Sequence, residues 1–151
     1  MRKFDSVDDV LDFAVENEIR AQDFYTELAG QMERPAMKAA FLEFAAEERK
    51  HEELLRRVKD GHQLDAAAEQ VANLRISDYL VDADTTPAMS YQEALILAIK
   101  REQAAMILYS DLAASTADRQ LRKLFEGLAQ EEAKHKLRFE TEYDEHVFKE
   151  N

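Results

Sequence analysis

Apolar residues recur along the chain in alternating steps of three and four, in four separate runs. The first holds Leu11, Ala14, Ala21, Tyr25, Leu28 and Met32, and the second Met37, Phe41, Phe44, Leu55 and Val58. The third holds Leu95, Ala98, Ala105, Tyr109 and Leu112, and the fourth Leu121, Phe125, Leu128 and Phe139. This spacing marks the buried face of an amphipathic helix. It predicts four long helices, roughly 6–32, 35–59, 90–116 and 118–146. Local signals agree: Ser6 with Asp9 is a variant capping signal, Ser90 with Glu93 is a capping box, and Pro35 suits a first helical turn. The intervening segment, about 60–89, contains Gly61 and Pro87 and is long for a loop inside a compact domain. It reads as a crossover between two helical hairpins.

The two hairpins are copies. Residues 6–55 set against 90–139, an offset of 84, share 14 of 50 positions without a gap. EERKH at 47–51 thereby lies over EEAKH at 131–135. The predicted architecture is all-α, a single-domain four-helix bundle over 1–151. It comprises hairpin 6–59, crossover 60–89 and hairpin 90–148, packed about a pseudo-two-fold axis.

Composition narrows the chemistry. Three Gly and two Pro in 151 residues suit helices. A formal charge of −12 argues against nucleic acid or an anionic membrane as partner. The absence of cysteine excludes disulfides and thiolate metal sites and fits a reducing compartment, so a cytoplasmic location is expected. No apolar run approaches the ~18 residues of a membrane span, and MRKFDSVDDV does not read as a signal peptide.

The seams are interrupted at the same level in all four helices. Glu18 and Glu102 stand where apolar residues belong in the first and third helices. Glu48 and Glu132 do so in the second and fourth, each followed one turn on by a histidine, His51 and His135. Four carboxylates in an apolar core are very costly alone, and like charges raise one another's pKa. The seams carry no Lys or Arg to offset them. Two divalent cations would, and two imidazoles would add one neutral ligand to each. One Glu from each of two helices, with Glu-x-x-His from the other two, is the ligand set of carboxylate-bridged dinuclear bundles. The candidate metal ligands are therefore Glu18, Glu48, His51, Glu102, Glu132 and His135.

Other polar residues are less decided by spacing. Glu47 and Glu131 lie one helical step, ~100°, off the seam. They are expected to be solvated flank residues, with a supporting role at the site as the alternative. His62 and His146 fall outside the repeat and are expected at the surface. Tyr25 and Tyr109, two turns from Glu18 and Glu102, read as core residues with hydrogen-bonded hydroxyls. A supporting or electron-relay role near the metals is the other reading.

The segments ENEIRAQDFY, EFAAEERKH, KREQAAMILY and GLAQEEAKH resemble rubrerythrin-type members of the ferritin-like superfamily, over about residues 6–140. The resemblance implies a ferritin-like bundle with two iron ions, bridged by Glu48 and Glu132 and completed by Glu18, Glu102, His51 and His135. Carboxylate and imidazole would also accept manganese or zinc. It further implies two-electron oxidation of the iron by hydrogen peroxide or dioxygen, and a homodimer or larger homo-oligomer. Two departures matter. Typical members carry a C-terminal cysteine-ligated rubredoxin-like domain, whereas this sequence has no cysteine and ends at Asn151, so a separate electron donor protein is expected. Typical members also place an extra Glu where this chain has Ala105, matched by Ala21, so a more symmetric site is expected. No fifth helix is expected after residue 148. The enzyme readings are a peroxidase and a ferroxidase or iron-handling protein, with a catalase-like manganese centre beside them. From another class stands a structural or adaptor bundle, metal-stabilised or metal-free.

Overall fold

Four helices occupy the four apolar runs in a computed structural model, which describes residues 7–61 and 90–148. They are α1 (Val7–Gln31), α2 (Pro35–Asp60), α3 (Tyr91–Ser115) and α4 (Arg119–Tyr143). A π-helical turn, Asp144–Phe148, continues α4. Three residues connect α1 to α2 and three connect α3 to α4. Links this short force each pair to run antiparallel as a hairpin. Most of the expected crossover (62–89), with His62 and Pro87, lies outside the described residues, as does Ser6.

The helix starts have identifiable causes. At α3 the Ser90 hydroxyl accepts from the Glu93 N–H at 3.1 Å, and the Glu93 carboxylate accepts from the Ser90 N–H at 3.3 Å. This is the expected capping box, and it satisfies two otherwise orphaned donors. At α4 the Asp118 carboxylate accepts from the N–H groups of Gln120 and Leu121 at 2.9 and 3.1 Å. Helix α2 opens without a side-chain cap. Pro35 stands in its first turn, where the missing N–H costs nothing.

Burial follows the seams. Leu11, Leu55, Leu108, Leu112, Leu121 and Phe125 belong to one apolar cluster, and Tyr25, Leu28, Phe41, Phe44, Leu95 and Phe139 to another. In each helix the interrupting carboxylate falls between the stretches that feed these clusters, so the polar layer divides the core in two. The second cluster is rich in aromatic rings: Phe44 and Phe139 meet edge to face at 5.0 Å, and Phe44 packs 4.7 Å from the His135 ring. The outer end of that half is closed by a polar contact, in which the Tyr91 hydroxyl donates to the buried Glu142 carboxylate at 2.7 Å. His146, expected at the surface, is partly buried and lies 3.4 Å from Glu142. No helix among the described residues is long and apolar enough to cross a membrane.

Candidate metal centre

Helical spacing brings all six candidate ligands to one layer. Glu18, Glu48, His51, Glu102, Glu132 and His135 are all buried, Glu48 to 1% and Glu132 to 0% exposure. They form two overlapping quartets: Glu18, Glu48, His51 and Glu132, and Glu48, Glu102, Glu132 and His135. Within each quartet the ligand-type atoms lie within 4.8 Å of one another. Glu48 and Glu132 belong to both. Glu18 with His51 completes one quartet, and Glu102 with His135 completes the other.

Both imidazoles point Nδ1 inward. His51 Nδ1 is 2.8 Å from Glu132, 3.6 Å from Glu18 and 3.7 Å from Glu48. His135 Nδ1 is 3.1 Å from Glu48 and 3.7 Å from Glu102. These approaches lack hydrogen-bond geometry: both Nδ1 atoms and at least one oxygen of each of the four glutamates are buried without a hydrogen-bond partner. Buried polar atoms are nearly always paired. A cluster of buried, unpaired oxygen and nitrogen atoms converging on common points is what divalent cations require, so the residues present fit a dinuclear metal group.

Four of the six candidate ligands, Glu18, Glu102, His51 and His135, are each held on the outward side by a residue from the opposite hairpin. The Tyr25 hydroxyl on α1 donates to Glu102 on α3, and the Tyr109 hydroxyl on α3 donates to Glu18 on α1. Across the other face, His51 Nε2 pairs with Glu131 and His135 Nε2 pairs with Glu47. Glu47 and Glu131 lie on solvent-facing flanks, as expected, and also make the histidine contacts of the alternative reading. Their side chains are 40% and 55% exposed, yet their carboxylates reach across to the histidines. An N–H donated from Nε2 to a carboxylate leaves the Nδ1 lone pair facing inward and fixes the ring. The tyrosines are core residues with hydrogen-bonded hydroxyls, as read from the spacing, and the acceptors are the candidate ligands Glu102 and Glu18.

Burial and mutual charge shift the titration of the cluster. Burial pushes the Glu48 carboxyl well above its ordinary range, and the charges of Glu18 and Glu102 push it further. Glu132 is raised in the same way by burial and by Glu102 and Glu48. Burial also raises Glu102, but the nearby Glu132 carboxyl and His135 ring, with the Tyr25 hydroxyl, outweigh that and bring it below the ordinary range. For His51 and His135 burial acts downward. It is overcome by Glu18 and Glu131 for the first and by Glu102 and Glu47 for the second, so both imidazoles are raised. Burial raises both tyrosines well above the phenol range, so each hydroxyl keeps its proton.

Among the described residues, two openings lie beside this layer. A cavity of about 40 Å³ between α1 and α3 is lined by Glu18, Glu48, Glu102 and Glu132, with Ala21, Ala105 and Tyr109 in its wall. Ala105 and its repeat match Ala21 therefore leave open space next to the carboxylates. On the histidine side, a wide groove of about 800 Å³ between α2 and α4 exposes the edges of His51 and His135 with Glu47 and Glu131.

A helical bundle whose core carries a histidine-carboxylate quartet pair defines a ferritin-like metal-binding protein. Residues 9–143 match the rubrerythrin family, and the chain belongs to it. A solved structure described as a ferritin-like diiron-carboxylate protein from Thermotoga maritima superposes with a TM-score of 0.81 at 26% identity, covering 96% of this chain and 99% of that one. A hypothetical protein from Pyrococcus furiosus superposes with a TM-score of 0.72 at 25% identity, covering 91% of this chain and 87% of that one. Comparison with curated proteins gave no match.

Proposed function

We propose that this chain is a non-haem di-iron oxidoreductase that reduces hydrogen peroxide. The observation that carries the reading is the pair of buried quartets sharing Glu48 and Glu132, with their inward atoms unpaired. Glu48 and Glu132, common to both quartets, would help to hold both ions. Glu18 and His51 would complete one coordination sphere, and Glu102 and His135 the other. The described Thermotoga relative supports iron, and the donor set of carboxylate and imidazole suits it.

Two ferrous ions held there would supply one electron each to break the O–O bond of peroxide, which takes up two protons and leaves as two waters. The chain's residues set the conditions for that chemistry. The four carboxylates balance the charge of the ions and absorb the increase on oxidation. Tyr25 and Tyr109 keep Glu102 and Glu18 from rotating away. Glu47 and Glu131 hold the imidazoles in the orientation that aims Nδ1 inward. The cavity between α1 and α3 has room for a molecule little larger than water, since one water needs ~10–15 Å³ of such space. At its wall, Tyr109 holds a proton on its phenolic oxygen. Electrons would return from a separate donor protein.

Ferroxidase activity is the second reading, because the same six residues would serve it. The two separate on the oxidant. Iron(II)-loaded protein is mixed with peroxide or with dioxygen and the oxidation followed by absorbance. The proposal expects peroxide to react at least roughly tenfold faster, a difference of ~1.4 kcal/mol in barrier. Equal rates, or faster reaction with dioxygen, favour iron handling.

A further inference from the structure

The cavity between α1 and α3 is two-fold symmetric at its floor and asymmetric at its mouth. Glu18 matches Glu102, Glu48 matches Glu132 and Ala21 matches Ala105 under the 84-residue repeat. The next lining positions break the match. Asn17 stands against Arg101, and Arg20 stands against Ala104, and all four line the same cavity. Each repeat thus contributes one arginine where the other has an uncharged residue. The Arg101 guanidinium is seated over the Phe24 ring, 5.1 Å from its centre, an arrangement that fixes a cation in place. Its Nε is buried, while Arg20 is exposed.

Two positive charges line this passage, one seated over Phe24 and one on the exposed rim, and both act on whatever enters. A hydrated divalent cation approaching the carboxylates from this side must pass both. A neutral peroxide meets no such barrier, and an anionic one is attracted. Charges lining a low-dielectric cleft change encounter rates by one to three orders of magnitude. A chain of net charge −12 would otherwise draw cations to every opening.

We infer that Arg20 and Arg101 form a charge filter at the mouth of the α1–α3 cavity, admitting a small neutral or anionic oxidant and excluding divalent cations from that route. The filter rests on the dinuclear reading above and deepens it. The ions are then resident cofactors rather than cargo passing through this cavity, and specificity for the oxidant is set partly by the mouth.

Cobalt(II) uptake by the metal-free protein tests this without any turnover. Its d–d absorbance reports arrival at the carboxylate layer in a stopped-flow experiment. The variants exchange each arginine for the residue of the other repeat, Arg101→Asn and Arg20→Ala, singly and together. Arg101→Lys keeps the charge and serves as the conservative control. The filter expects the double variant to take up cobalt roughly tenfold faster or more at low salt, with the gain shrinking as salt rises. Arg101→Lys should stay near the parent. If all variants bind cobalt at the parent's rate, the filter is overturned while the metal site stands. If neither parent nor variants bind cobalt, the dinuclear reading itself has failed and the filter with it. Should Arg101→Asn unfold, Arg20→Ala on the exposed rim still carries the test through its own uptake rate.

Discussion

The phenol of Tyr25 crosses from one hairpin to the other and donates its hydrogen to Glu102. Tyr109 and Glu18 make the reciprocal bond. Each carboxylate of the α1–α3 pair is therefore held by a tyrosine from the other repeat, which couples ligand geometry to the packing of the two hairpins. Removing one hydroxyl leaves a buried acceptor without its donor, a loss of about 1–3 kcal/mol. Tyr25→Phe is expected to lower the unfolding free energy by that amount with helical content unchanged, measured by urea denaturation followed by circular dichroism. A cost near zero would show that Glu102 does not depend on the phenol.

The two quartets share Glu48 and Glu132 but not Glu18 or Glu102. Substitution should therefore act unequally. Glu18→Gln is expected to abolish dinuclear occupancy while leaving the quartet of Glu48, Glu102, Glu132 and His135 able to hold one ion. Glu48→Gln weakens both positions. Metal per chain after loading and desalting distinguishes them, and two ions retained by Glu18→Gln would refute its assignment.

Glu47 and Glu131 touch no candidate ion position, yet they set the two histidines. Losing such a carboxylate partner typically costs ~10–100-fold in metal affinity. Glu131→Gln is expected to weaken binding within this range at the His51 quartet, read by competition with a chromophoric chelator. An affinity equal to the parent's would return Glu131 to the solvated flank.

Stability of the metal-free protein should fall as pH rises. Glu48 and Glu132 have folded-state pKa values raised above the ordinary 4.5, so they favour the fold fully below that pH and lose the contribution as pH climbs through their raised values. His51 and His135, raised above 6.5, act in the same sense over a higher range. Glu102, lowered, acts oppositely: its contribution is present above 4.5 and is lost on acidification. Above pH 4.5 the four raised groups govern the slope, so the Tm of the metal-free protein declines as pH rises, first through the carboxyls and then above 6.5 through the imidazoles. Cations replace those protons, so metal loading should flatten or reverse the slope. A metal-free Tm that rises with pH contradicts this balance.

Much of this site was legible because helical periodicity is a property of one helix at a time. The seam positions of α2 and α4 are buried as read, and the six interrupting residues fall in a single layer. Spacing reports badly on relations between helices. Glu47 and Glu131 lie on flanks of their own helices, and only the packing of α2 against α4 shows that each reaches the other's histidine. Arg101 escaped notice for the same reason, since it is off the α3 seam but lines the cavity. The tyrosines were placed in the core by spacing, but their crossed bonds depend on how the hairpins meet. Asp118 gave a local signal that could have been read, a capping residue immediately before the fourth helix.

The central claim is that the two repeats together hold one dinuclear centre. Its most direct test is iron per chain after anaerobic loading with iron(II) and desalting, measured by elemental analysis. The account expects close to two. A value near zero in a protein that remains helical would mean that the buried carboxylates are not an iron site, and the oxidoreductase reading would fall.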